Sequence, residues 1–342
     1  MTAFNDRFLK ACRQEQTDRP PVWFMRQAGR YQDEYRAIRK KHSLVDICKI
    51  PEVCAEVTLL PIQQFGFDSA IIFSDIMIPL EPMGIDFEYK PGVGPVIHNP
   101  IKSKADVEKL KDLDFGKDLL YTGEGMKILR RELNVPCIGF VGAPFTLASY
   151  MLEGGPSKNY IKMKSFMYQE TEAWHALMKK LATNMAEYLY FQVESGAMAV
   201  QIFDSWVGSL SRADYLEYVF PHMKEMVAAI KAKTDVPVIM FGTNSSHLLQ
   251  DMKATGVDVI GIDWKTDLAA AWADMNHEVA VQGNLDPTLL FGDWSLIEKR
   301  AKTLLESVNN RPGFIFNLGH GILPGTPQEN VGNLVKLVQG RP

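Results

Sequence analysis

Short apolar, β-rich runs recur along the chain, each ending in polar or glycine residues and each followed by a longer stretch with helical spacing. Eight can be placed, at 22–25, 70–74, 137–141, 199–203, 237–241, 257–262, 279–282 and 313–316. Near-continuous apolar character suits strands buried on both faces, and the intervals leave room for one helix per connection. The pattern predicts βα repeats on a parallel sheet, and eight units suggest closure into a single α/β (β/α)8 TIM barrel. An open doubly wound sheet is the alternative, because periodicity does not prove closure. Residues 165–190 carry Phe166, Trp174, Leu177, Met178 and Leu181 at near-helical spacing, and 212–231 follow a Ser-Arg-Ala-Asp start, so both predict outer helices. Residues 85–97 read instead as two short strands around Pro91-Gly92-Val93-Gly94, an inserted β-hairpin. With no linker or low-complexity tract, residues 1–342 are expected to form one domain.

Composition narrows the class. The 342 residues are 46% hydrophobic and 23% charged, ordinary globular usage that excludes a disordered or collagen-like chain. Lys and Arg number 37 against 41 Asp and Glu, a net charge of −4, so a general basic field for nucleic acid is absent and any anion site must be local. Cys12, Cys48, Cys54 and Cys137 form no C-x-x-C and read as reduced, buried thiols. Charged residues interrupt every apolar stretch of the first sixteen positions, and no run approaches the roughly 20 residues that span a bilayer, so the expectation is a cytoplasmic protein without a membrane partner.

In a parallel barrel the active site lies at the C-terminal ends of the strands. The residues there are Arg26-Gln27-Ala28-Gly29-Arg30 after the first run, Asp75 after the second, Gly142 to Thr146 and on to Tyr150 after the third, and Asp204-Ser205 after the fourth. Asn284 follows the seventh run, and Asn317 to Gly321, around His320, follow the eighth. Residues 26–41 hold six Lys/Arg against Asp33 and Glu34, a local +4 that leaves −8 for the rest of the chain and points to a polyanionic ligand. Guanidinium groups match carboxylates in bidentate geometry, and Ala28-Gly29 lets backbone approach a ligand. For Arg36 to Lys41 alone, a solvated helix face explains the charge as well. Asp75 could equally cap a strand end or join a buried ion pair, and His320 could be a core histidine.

Absences matter too. The chain lacks G-x-G-x-x-G, a P-loop, H-E-x-x-H and G-x-S-x-G, which removes the short-motif cases for dinucleotide binding, nucleotide hydrolysis, zinc proteolysis and serine esterase chemistry. Seven dispersed histidines would need the fold to assemble a metal site.

The runs PPVWFMRQAGR (20–30) and GFVGAPFTLASYMLEG (139–154) closely resemble the two signature segments of the uroporphyrinogen decarboxylase family. With FSDI around Asp75, FDSW around Ser205 and NLGHGILPGTP around His320, the resemblance covers essentially the whole chain. It implies one (β/α)8 catalytic domain, a homodimer, and a cytoplasmic enzyme of porphyrin (heme and chlorophyll) biosynthesis. The implied reaction removes carboxyl groups from the four acetate side chains of uroporphyrinogen III, giving coproporphyrinogen III and CO2, with no cofactor and no metal. Carried over by motif, Arg26, Gln27, Ala28, Gly29 and Arg30 line the substrate site, Asp75 binds pyrrole N–H groups, and Tyr150, Ser205 and His320 contact the substrate. The implied catalytic set is Asp75, Arg26 and Arg30.

The chemistry agrees with that resemblance. Loss of CO2 from a pyrrole acetate leaves electron density on a methylene carbon, and a pyrrole protonated at the adjacent ring carbon can take it up, the role that cofactors supply elsewhere. Ionised Asp75 would stabilise the cation electrostatically. Arg26 and Arg30 would hold carboxylates, and one of them, or a water they orient, is a candidate proton donor, although arginine is a poor acid. Two other classes stay open: a zinc-dependent, cobalamin-linked methyltransferase on the same barrel, and a non-catalytic tetrapyrrole carrier.

Overall fold

The computed structural model describes residues 3–341. Its strands are β1 (Ala70–Ile71), β2 (Phe87–Lys90), β3 (Gly94–Ile97), β4 (Cys137–Gly142), β5 (Ala199–Asp204), β6 (Val238–Gly242), β7 (Val259–Gly261), β8 (Ala280–Leu285) and β9 (Phe314–Leu318). β2 and β3 pair antiparallel, Phe87 opposite Ile97. The other seven form one parallel sheet in the order β1-β4-β5-β6-β7-β8-β9. Every residue of β6, β8 and β9 is buried. Coverage on both faces is the physical reason these strands read as continuous apolar runs rather than alternating ones.

The sheet curls strongly. Gln282 of β8 donates to Gln201 of β5 at 2.9 Å, and the Trp23 indole N–H donates to Gln282 at 3.2 Å. Strands three places apart stand about 14 Å from each other in a flat sheet at ~4.8 Å per strand. Their side chains therefore meet across the inside of the curl.

The first predicted strand, 22–25, is not a strand: it makes one parallel bridge, Val22 to Phe316. Pro20 and Pro21 have no N–H to give a neighbour, and side chains take several of the donors that follow. The Val22 N–H goes to the Asp68 carboxylate (2.9 Å), the Phe24 N–H to Gln27 Oε1 (3.2 Å) and the Met25 N–H to Asn317 Oδ1 (3.2 Å). The segment nonetheless lies between the two edges of the sheet. The Trp23 N–H donates to the Phe316 carbonyl at 3.3 Å, and the Asp68 N–H to the Val22 carbonyl at 2.8 Å.

Two predicted helices are each divided. Residues 165–190 belong to Ile161–Gln169 and Thr171–Glu194, because Glu170 leaves helical geometry (φ −117°, ψ 49°). Residues 212–231 form Arg212–Tyr218 and Phe220–Lys231. Pro221 explains the second break, since it cannot donate the helical hydrogen bond to Glu217 and suits the first turn of a new helix. No helix among the described residues is long and apolar enough to cross a membrane.

Candidate active site

The C-terminal ends of the strands surround a cavity of about 390 Å3. Arg26, Gln27, Ala28, Asp75, Tyr150, Ser205 and His320 line it, together with Ile71 to Ser74, Pro95, Phe140, Phe203, Trp206, Phe241 and Gly321. Seven of the nine residues singled out in the sequence thus converge on one space. Gly29 and Arg30 are not among the lining residues, and the Gln32 N–H bonds the Gly29 carbonyl (3.0 Å) in the turn that follows Arg26.

Arg26 occupies left-handed backbone geometry (φ 59°). Its aliphatic stem lies over Gly321, where a Cβ would stand 2.5 Å from Cδ of Arg26, so Gly321 makes room for the guanidinium's approach. Across His320, a Cβ on Gly319 would stand 2.2 Å from the Trp264 backbone nitrogen. The two glycines that flank His320 therefore serve close packing, and neither needs a positive φ. Burial, then the Arg26 charge, pushes His320 down to about 4, so its ring is neutral at pH 7. Gln27 is a latch rather than a free polar group. Its carbonyl takes the Tyr31 hydroxyl (2.6 Å) and its side-chain amide donates to the Ser69 carbonyl (3.1 Å), tying the Arg26 loop to β1.

Asp75 ends the run after β1, where its Oδ1 accepts the Met77 N–H at 2.9 Å. It is the one carboxylate among the lining residues, as Arg26 is the one guanidinium. Burial and then Asp75 raise the Tyr150 hydroxyl, with Arg26 opposing, which sets these three groups in one electrostatic neighbourhood. Two further groups share it. Tyr89, on β2, has a buried hydroxyl next to Asp75, which after burial is the main influence raising it. The Cys48 thiol is likewise raised by burial and Asp75. Sequence spacing could not reveal Tyr89, because the hairpin reaches the site only through the fold.

The remaining wall is aromatic. Phe140, Phe203 and Phe241 from β4, β5 and β6 pack edge to face, with centroids 5.4 and 6.2 Å apart, and the Tyr150 and Trp206 rings lie 4.0 Å apart. These positions read in the sequence only as strand core. An aromatic wall with one guanidinium and one carboxylate suits a large, anionic ligand that also carries N–H donors. Among the described residues, no three His, Cys, Asp or Glu are grouped to hold a metal.

The fold also occurs in a methyltransferase from Methanosarcina mazei, with a TM-score of 0.82 over 99% of each chain at 19% identity, a likeness of architecture alone. Curled parallel sheet, outer helices and a polar cavity at the C-terminal strand ends define a TIM-barrel-like α/β enzyme. Within that class the family is specific. The Uroporphyrinogen decarboxylase (URO-D) family profile matches residues 3–341. The uroporphyrinogen decarboxylase of Chloroflexus aggregans is 52% identical over 341 residues, 98% of this chain and 96% of that protein. That of Koribacter versatilis is 51% identical over 340 residues, 99% and 97% of the two chains. The chain belongs to the uroporphyrinogen decarboxylase family of carboxy-lyases.

Proposed function

We propose that this protein removes CO2 from the four acetate side chains of uroporphyrinogen III, leaving methyl groups and giving coproporphyrinogen III. The observation that carries the reading is the pairing of one carboxylate, Asp75, with one guanidinium, Arg26, beside an aromatic wall in a single cavity. In each round a pyrrole ring carbon gains a proton, the bond to the carboxyl carbon breaks, and its electron pair enters the ring system. Protonation of the exocyclic methylene and loss of the ring proton then restore the pyrrole. Asp75 accepts the central N–H groups and offsets the positive charge that develops. Arg26 holds a carboxylate bidentately, and Tyr150, Ser205 and neutral His320 contact the substrate. Gln27, Ala28 and Gly29 shape the loop that carries Arg26, and Arg30 adds attraction from outside the cavity.

The protonated ring is its own electron sink, so the reaction calls on no cofactor or metal. In this reading residues 1–342 act as one (β/α)8 catalytic domain, with segment 20–25 as its first unit, in a cytoplasmic homodimer. Four buried free cysteines suit a reducing compartment. Anaerobic incubation with uroporphyrinogen III, followed by chromatographic counting of carboxyl groups, tests the whole assignment. Loss of four carboxyl groups is expected, whereas tight binding without CO2 release would make the protein a carrier. Methyl transfer dependent on added zinc would favour the methyltransferase class instead.

A further inference from the structure

Asp204, the last residue of β5, is buried with only 1% of its surface exposed. Among the described residues no cation pairs with it. The Thr146 hydroxyl donates to Asp204 Oδ1 at 2.7 Å, which commits the hydroxyl proton. A lone pair of the same oxygen then accepts the Trp206 backbone N–H at 3.3 Å. The chain of bonds has a direction, from the carboxyl group through Thr146 to the backbone beside Ser205. Trp206 carries it to the cavity: its ring lies 4.0 Å from Tyr150 and 5.3 Å from Tyr160. On the other side the Ser205 carbonyl is held by the Thr243 hydroxyl. Residues 204–206 are thus clamped from two sides, with Ser205 and Trp206 facing the substrate space.

We propose that Asp204 is a positioning residue for the Ser205–Trp206 wall of the cavity, acting through the Thr146 hydroxyl. This rests on the decarboxylase reading, since the wall is where a tetrapyrrole would lie. An apolar residue would fill a buried packing position at less desolvation cost, and here a carboxyl group stands next to the site. Burial moves Asp204 up to about 7, with the Thr146 hydroxyl and N–H opposing. The other groups near it supply no positive charge. Tyr215 presents a buried hydroxyl without a partner, and Asp251 beyond it is already paired with Arg212 at 2.7 and 2.8 Å. Ionisation of Asp204 therefore adds an uncompensated negative charge behind a wall that receives a polyanion, which weakens binding as pH rises through neutrality.

The test compares wild type, Thr146→Val, Thr146→Ser and Asp204→Asn with uroporphyrinogen under anaerobic conditions, with kcat and KM read from pH 6 to 8.5 and melting temperatures read alongside. Thr146→Val should lower kcat/KM about tenfold, and Thr146→Ser, which keeps the hydroxyl, should restore it. Wild-type KM should rise across the neutral range, and Asp204→Asn, which cannot ionise, should flatten that rise. If Thr146→Val and Asp204→Asn keep wild-type kinetics at every pH and only the melting temperature moves, Asp204 is a core group and the proposal is wrong. A rise in KM that survives unchanged in Asp204→Asn also overturns it. A wild-type protein that releases no CO2 refutes the decarboxylase reading itself, an outcome the variants do not share with the other two.

Discussion

Replacing Asp68 by Asn should loosen the segment that brings Arg26 to the cavity. Asp68 is 1% exposed and accepts hydrogen bonds from Asn5 (2.8 Å), Arg7 (3.1 Å), both terminal nitrogens of Arg19 (2.7 and 2.8 Å) and the Val22 N–H (2.9 Å). Asn keeps the shape but loses the charge and turns a donor toward donors. Breaking one side of a buried ion pair costs about 3–5 kcal/mol. Arg7 and Arg19 retain 21% and 17% exposure, so water recovers part of their solvation and the lower end, ~3 kcal/mol, applies. An unfolding entropy of about 2.1 cal/mol/K per residue gives ~0.7 kcal/mol/K for 342 residues, so Tm should fall by about 4 °C.

The effect has a pH signature. Burial would raise Asp68, but Arg19, the Val22 N–H and Asn5 outweigh it and hold the carboxyl below its ordinary value. Because the folded value lies below the unfolded one of ~3.9, the stabilisation is complete above about pH 4 and is lost as pH falls through the folded value. Calorimetry of both proteins at pH 7 and at steps toward pH 3 measures this difference. A Tm loss under 1 °C at pH 7, or a gap that fails to narrow on acidification, would refute this role for Asp68. Loss of kcat/KM at 25 °C, where the variant is still folded, should accompany the Tm change.

Asp75→Asn should lower kcat by about 10²–10³ with little change in KM, because the charge it offsets grows only in the transition state; a raised KM at normal kcat would make Asp75 a docking group. Arg26→Lys should impair turnover at low and high salt, since it keeps charge but loses the planar fork, whereas Arg30→Lys, outside the cavity, should leave kcat near wild type; equal damage from both would place Arg30 in the site. Activity should survive exhaustive chelation, and restoration of a chelated, inactive enzyme by zinc would contradict the substrate-as-sink chemistry. His320 and His222 both sit below their unfolded value, at about 4, so wild-type stability should fall as pH drops from ~6.5 toward 4, and His320→Asn should make that slope shallower in a series of melting curves while His222 keeps the rest.

Much of this molecule was written locally. Strands buried on both faces leave uninterrupted apolar runs, so seven of the eight sheet positions could be read from 70 onward, and the polar residues that end them pointed to Arg26, Asp75, Tyr150, Ser205 and His320. The long motifs around Arg26 and Tyr150 carried the family resemblance. What remained hidden depends on contacts between distant parts of the chain. Segment 22–25 looks like a strand by composition, yet its donors are claimed by Asp68, Gln27 and Asn317, and no local pattern announces a partner 46 or 292 residues away. Arg26 and Arg30 are equivalent by type and four residues apart, but it is Arg26, packed over Gly321, that lines the cavity. Tyr89 and Asp204 acquire their meaning in the same way, because burial and the identity of the nearest charged or hydroxyl group set a side chain's chemistry, and both are decided by the tertiary fold.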